Sequence, residues 1–224
     1  MGHDMFGYTF YWSMVWEKLP DLIAGAKTTL ELTVLSMIIG TLLALVLSIL
    51  RRQSSGIGLR VSASWIEVAR NTPALFQIYM IYFGLGAIGL HLSSYMAMLI
   101  ALSFNNAGFL AEIFRGGLQS IPKQQYVAAR SLGMGAFKAY THVVFPQLFR
   151  VVYFPYINQL NWALLNSSLG MVIGLRELTG ATQAAQSESF RTFEFFIVAA
   201  VMYYVLSKLI QGGARLSFWR LVKE

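Results

Sequence analysis

Gln124–Pro146 reads QQYVAARSLGMGAFKAYTHVVFP. It carries Arg130, Lys138, two glycines and a row of small residues, yet the chain on both sides of it is strongly apolar. Ser120 is placed to cap a helix that has Pro122 in its first turn, where the missing N–H costs nothing. That helix should run from Lys123 to Leu132, with Gly133 closing it in a left-handed C-cap. A second short helix, about Ala136 to Phe145, leads to Pro146 and the next apolar block. Two short helices meeting at a glycine corner make a knuckle. Tyr126, Ala129 and Gly133 lie at i, i+3 and i+7 and share a face. One aromatic anchor with small neighbours suits insertion into a groove on another protein. A helix lying on lipid would show more Leu and Phe opposite its Lys and Arg.

The flanks decide what the knuckle belongs to. The chain is 56% hydrophobic, only 12% charged, and has a mean hydropathy of +0.57. Soluble domains carry about 25% charged residues, so this chain cannot cover a globule of its own size with polar side chains. Several apolar runs reach the ~20 residues a bilayer span needs. The expectation is an all-α membrane protein with a single domain over residues 1–224 and five transmembrane helices. They fall at about Thr28 to Leu50, Trp65 to Leu85 (containing Pro73), Leu90 to Phe114, Val144 to Leu165 and Phe193 to Gly213. Leu169 to Thr179 is too short to span and reads as an extracytoplasmic or re-entrant element. Residues 1–27 lack the basic start and apolar run of a signal peptide. Their Tyr, Phe and Trp suggest an interfacial belt on one membrane face.

Charge gives the sidedness. Residues 51–70 hold four Lys/Arg, residues 115–150 five and residues 208–224 four, which is 13 of the 17. An N-out, C-in topology puts all three segments in the cytoplasm, as the positive-inside rule requires. Lys18, Lys27, Arg176 and Arg191 fall on the other side with most of the acids. The knuckle, within a loop at 115–146 between spans three and four, is then cytoplasmic. The net charge of +7 needs no nucleic-acid partner to explain it.

Polar residues mark the interior. The fourth span includes Arg150, Asn158, Gln159, Asn161 and Asn166, the third carries Asn105 and Asn106, and the second Thr72, Gln77, Tyr79 and Tyr82. Facing lipid, so many amides would be costly. Any one of them could simply join helices. The set suggests a polar pathway, because uncharged Asn, Gln, Ser and Tyr bind a polar solute without trapping it. Gln77, Tyr82, Asn105, Asn106, Asn166 and Ser168 are the pathway candidates. Glu112 with Arg115 at i+3 reads as a structural ion pair. There is no Cys, and the three His are not at ligand spacing. No nucleophile–base set, zinc motif or phosphate-binding glycine loop is present. The chain is expected to be no enzyme, with no catalytic residue, no metal and no cofactor of its own.

Ala128-Ala129-xxx-Gly133, with nine residues separating it from Val143-x-Phe145-Pro146, resembles the "EAA" loop of permease subunits of ABC importers. Ala111-Glu-Ile-Phe-Arg-Gly-Gly-Leu-Gln-Ser-Ile-Pro-Lys123 is similar to the polar amino-acid branch of that family. So are Arg70-Asn-Thr-Pro73, Asn166-Ser-Ser-Leu-Gly-Met-Val-Ile-Gly174 and Glu177-Leu-Thr179. The resemblance covers nearly the whole chain in order. It implies a five-helix permease of a bacterial cytoplasmic (inner) membrane that alternates access for an amino acid. The implied partners are a second permease, an extracytoplasmic amino-acid-binding protein and a dimer of ATPase subunits that bind the ATP and Mg. Coupling to the ATPase would fall to Tyr126, Ala128, Ala129, Arg130 and Gly133. Two departures stand out. Val127 replaces the Glu that usually opens the loop motif, which leaves docking to Ala and Gly packing. Asn166 replaces an Asp common in the family, which removes a counter-charge for a cationic amino acid. Asn166 therefore favours a neutral or acidic substrate, or a non-binding role beside a different second permease. The alternatives from the residues alone are a secondary carrier, for which the mid-membrane stretches show no carboxylate or ion site, and a non-transporting scaffold.

Overall fold

The first apolar run is helical, but its helix begins at Trp12 rather than near Thr28. Helix α1, Trp12–Leu50, has 39 residues and passes through Pro20 without ending. At 1.5 Å per residue that is nearly 60 Å, longer than the ~45 Å of a whole bilayer. The N-terminal part of α1 therefore extends past the apolar layer or tilts within it. In the computed structural model the backbone of residues 4–5, 8–51 and 55–222 is described, with side chains over 8–51 and 55–219. His3, Arg52, Lys223 and the Arg220 side chain, which entered the charge and ligand readings, lie outside the described residues.

Helix α1 is apolar all round, so hydrophobicity does not say which face packs. Its buried face mixes Leu32, Met37 and Leu47 with the small residues Thr29, Thr33, Ser36, Gly40 and Ala44, while Leu35, Ile38, Leu42, Leu45 and Ile49 stay exposed. The small residues let a neighbouring backbone come close, as in helices that associate in lipid. Gly40 is where α1 meets α5, Ser94–Ser120: a Cβ there would lie 2.7 Å from the Asn106 Cβ. Helix α5 is the central element, packed on α1, on α2 (Ile57–Asn71) and on α8 (Phe145–Asn166). It runs on through Ser120 instead of stopping near Phe114, and it starts from Ser93, whose Oγ accepts from the Met96 N–H at 3.3 Å.

The expected second span is not one helix. Helix α2 ends at Asn71, Thr72 is extended (φ −118°, ψ 147°) ahead of Pro73, and α3 starts again at Ala74. The residue before a proline is pushed out of the helical region, and here the push breaks the span. Helix α3, Ala74–Tyr79, continues through a π turn, Met80–Gly84, into α4, Leu85–Ala87.

The knuckle forms with two corrections. Ser120 closes α5 and gives its Oγ–H to the Gly117 carbonyl at 2.7 Å, so it does not cap the next helix. Helix α6, Lys123–Ser131, starts from Pro122 instead. The second short helix, α7 (Ala136–Ala139), does not stop at Pro146. A π turn, Tyr140–Val144, joins it to α8, and Pro146 stands where that turn passes into α8. After α8 come a 3₁₀ stretch, Ser167–Ile173, and α9, Leu178–Ser189, which has no counterpart among the expected spans. Helix α10, Thr192–Val222, ends the fold. A two-residue strand pair, Asp4–Met5 with Tyr8–Thr9, precedes α1.

Among the described residues three helices are both long and apolar enough to cross a membrane: Trp12–Leu50, Ser94–Ser120 and Thr192–Trp219. Charges collect at opposite ends of these helices. The C-terminal parts of α1, α2 and α5 bring Arg51, Arg70 and Arg115 onto Glu112, with N···O distances of 2.6, 3.6 and 2.7 Å. The pair expected at Glu112–Arg115 is thus one arm of a four-residue cluster. At the other end, Lys18 pairs with Glu188 at 2.6 Å and holds that carboxyl below its ordinary range. Tyr8 and the Tyr11 N–H both bind Glu194, the acid in the first turn of α10, which pushes the Tyr8 hydroxyl up.

Candidate functional site

Pro73 has no N–H, and it stands four residues after Ala69, so the Ala69 carbonyl loses its helical partner. Two side-chain amides take its place. Gln77 Nε2 and Asn105 Nδ2 both donate to Ala69 O at 3.0 Å. Gln77 Nε2 also reaches Thr72 Oγ1 at 2.9 Å, while its Oε1 accepts from Asn105 Nδ2 at 3.0 Å. One turn of α5 is therefore tied to both sides of the α2–α3 break. Asn106 belongs to a second network on the adjacent face: Gln159 Nε2 of α8 donates to its Oδ1 at 2.9 Å, and its own Nδ2 donates to Ser36 Oγ of α1 at 3.2 Å. Gln77, Asn105 and Asn106 are all buried, and Asn105 Oδ1 is enclosed without a partner. In this conformation these three amides join helices.

The other pathway candidates lie apart from that cluster. Tyr82 sits in the π turn, edge-on to Phe83 at 4.8 Å and packed on the core around Ile78 and Met98. Asn166 ends α8 and gives its Nδ2–H to the Trp162 carbonyl at 3.0 Å. Ser168 is half-buried and lines an open groove of about 570 Å³ with Thr179, Phe196, Tyr203 and Ser207. Mixed hydroxyl and apolar walls of this kind can hold a small polar solute.

Sequence reading named Glu177 only as part of a motif, and the structure gives it a position of its own. Its side chain is fully buried and caps α9, accepting from the Thr179 and Gly180 N–H groups at 2.9 and 2.8 Å. Tyr203 OH at 2.7 Å and Thr29 Oγ1 at 3.3 Å complete the shell. A buried carboxylate needs this many donors. Tyr203 also lines the Ser168 groove, so Glu177 fixes one of its walls. The local signal was an acid placed to cap Leu178–Ser189; the Thr29 and Tyr203 contacts have none.

In the knuckle Gly133 takes φ +83°, with Met134 N–H to Ala129 O at 3.2 Å and Gly133 N–H to Arg130 O at 3.1 Å. This is the Schellman form of the expected C-cap. Arg130 Nη1 adds a bond to the Met134 carbonyl at 2.9 Å. The face carrying Tyr126 and Ala129 turns inward, however. Ala129 is buried, and the Tyr126 ring sits 5.0 Å from that of Tyr140 in the π turn. Ala128 and Arg130 are exposed. The large groups on the outside are Val127 (58% exposed), Leu132 (82%) and Phe137 (81%).

A bundle of long apolar helices with a projecting corner and buried interhelical amides defines a polytopic membrane protein. The chain matches the family described as binding-protein-dependent transport system inner membrane component over residues 36–221, and it belongs to that family. It is 33% identical to the octopine transport system permease protein OccM of Rhizobium radiobacter, over 95% of this chain and 90% of that one. It is 32% identical to the glutamine transport system permease protein GlnP of Escherichia coli strain K12, over 90% of this chain and 93% of that one. The crystal structure of an amino acid ABC transporter with histidines matches at a TM-score of 0.88 and 33% identity, covering 95% of this chain and all of that one. The protein is therefore a multi-pass inner-membrane permease, and neither the secondary-carrier nor the scaffold alternative finds support in these likenesses.

Proposed function

We propose that this chain is the permease of an ATP-driven importer of a polar amino acid, working by alternating access. Five crossings carry the path, built from α1, the α3–α4 segment, α5, α8 and α10, with the N-terminus outside and the C-terminus in the cytoplasm. The convergence of Arg51, Arg70 and Arg115 at one end of the bundle supports that orientation. The observation that carries the function is the knuckle. It holds Leu132 and Phe137 out at the basic end of the molecule, and its π turn runs without a break into α8, whose Gln159 bonds the internal amide Asn106. A push on α6 is thereby passed to the helices around the amides.

ATP and Mg belong to a pair of partner ATPase subunits that receive the knuckle. An extracytoplasmic binding protein delivers the solute, and a second permease, more readily a different chain, completes the path. The neutral Asn166, its Nδ2 held by a backbone carbonyl, favours a neutral or acidic amino acid over a cationic one. Competition of glutamine, glutamate and arginine for uptake tests this, and dominant arginine transport bound against Asn166 would overturn it. Docking is tested by detergent pull-down with Leu132→Asp and Phe137→Asp. Both should lose the ATPase while the permease stays folded. Full retention of the ATPase by both variants rules out this face.

A further inference from the structure

Between the C-terminal ends of α1 and α5 and the start of α8 lies a cavity of about 700 Å³. Leu45, Ile49, Phe114, Leu118 and Leu148 make its walls. Water fills apolar space of this kind poorly, and no part of the described chain occupies it. Its polar lining is Ser48, Gln119, Tyr140 and two charged residues, Arg51 and Arg115. Arg115 is committed: it is bidentate to Glu112 and gives Nη1 to Gln119 at 2.7 Å. Arg51 is not. Among the described residues it makes one hydrogen bond, from Nη1 to Glu112 at 2.6 Å, which leaves Nε and Nη2 open. The surrounding charge is unbalanced as well. Arg51, Arg70 and Arg115 face Glu112, and Glu67, on the adjoining small cavity with Arg51 and Arg70, leaves a surplus of one positive charge.

An apolar slot with a half-used guanidinium at its rim fits an amphiphile with an anionic head. We propose that this cavity holds an acyl chain of an anionic phospholipid of the cytoplasmic leaflet, with its phosphate on Arg51. The assignment rests on the orientation proposed above, since that leaflet is the one carrying negative lipid. The cavity wall also includes Phe137 and Tyr140 at the base of the knuckle. A lipid there joins α1 to the knuckle and steadies the corner against the bilayer.

The test uses the purified transporter in nanodiscs of equal parts phosphatidylglycerol and phosphatidylcholine, with native mass spectrometry of the lipid retained. One guanidinium near the surface is worth about fivefold in preference for an anionic lipid, so phosphatidylglycerol should be retained about fivefold over phosphatidylcholine. Arg51→Gln should bring the ratio close to one. Leu118→Trp, which fills the slot and leaves the charge, should lower retention of both lipids, and Arg215→Gln on exposed α10 should change nothing. Thermal melting in detergent confirms that each variant is folded, and if Arg51→Gln is not, Leu118→Trp decides alone. Equal retention of the two lipids by the unaltered protein overturns the site. So does an unchanged preference in Arg51→Gln, or retention by the isolated permease that disappears when the ATPase is bound. Failure of Leu132→Asp, which lies outside the cavity wall, to release the ATPase, with lipid preference intact, tells against the docking face proposed above and leaves the lipid site standing.

Discussion

The N–H that Pro73 lacks leaves the Ala69 carbonyl to two side chains. Gln77 and Asn105 turn their amides to the Ala69 carbonyl because nothing else in an apolar interior can satisfy it. Gln77→Leu removes one of its two donors and the acceptor for Asn105, so it should destabilise the protein by about 1–3 kcal/mol in detergent unfolding. Asn105→Leu should cost less, because it also removes Oδ1, which is buried without a partner. The opposite order would show that the orphan oxygen is satisfied by a group such as water. Val127 stands out from α6 and half of it is exposed. Val127→Glu should therefore change stability by less than about 0.5 kcal/mol and leave the ATPase in the pull-down. A folded permease that loses its ATPase on that change would mean that docking tolerates no charge at this position.

Elements here are positioned by backbone approach and by corners. Gly40 lets α1 lie directly on α5, and a Cβ would meet Asn106 at 2.7 Å. Gly40→Val should cost about 3 kcal/mol or more, the upper range for overpacking, and hydrogen exchange should rise along both helices rather than at the knuckle. Gly133 is the reverse case: φ is +83° but the space around it is open. Gly133→Ala should cost about 1–2 kcal/mol through the left-handed backbone alone, with exchange rising only across α6 and α7. These elements differ in how far they could be read from the chain. The Gly133 corner was legible because a C-cap needs only its own residues. The α2–α3 break is half legible: Pro73 marks a weak point inside the second span, but whether it kinks or breaks a helix depends on what satisfies the freed carbonyl. Helix α9 was missed because its start rests on Glu177, whose burial depends on Thr29 and Tyr203 far along the chain.

At the scale of the whole molecule the ends of the bundle are held by charge. Glu112 gathers three guanidiniums from three helices. Glu112→Gln keeps the shape and strands those cations beside one another. It should lower stability by about 2 kcal/mol, less than a fully buried pair would lose because the arginines stay partly in solvent. The loss should grow at low ionic strength; a salt-independent loss would show that shape and not charge is at stake. Composition and short-range pattern were enough to show a helical membrane protein, which ends of its helices carry the positive charge, and where its exposed loop turns a corner. Each of those follows from composition or from neighbours within a few residues. Which helices the amides join came from the folded chain: Gln77 and Asn105 tie α3 to α5, and Asn106 ties α5 to α1 and α8. So did the inward turn of Tyr126 and Ala129, the outward turn of Leu132 and Phe137, and the face of α1 that packs. In a chain surrounded by lipid both faces of a helix are apolar, so hydrophobic pattern cannot separate inside from outside. Contact between distant segments does.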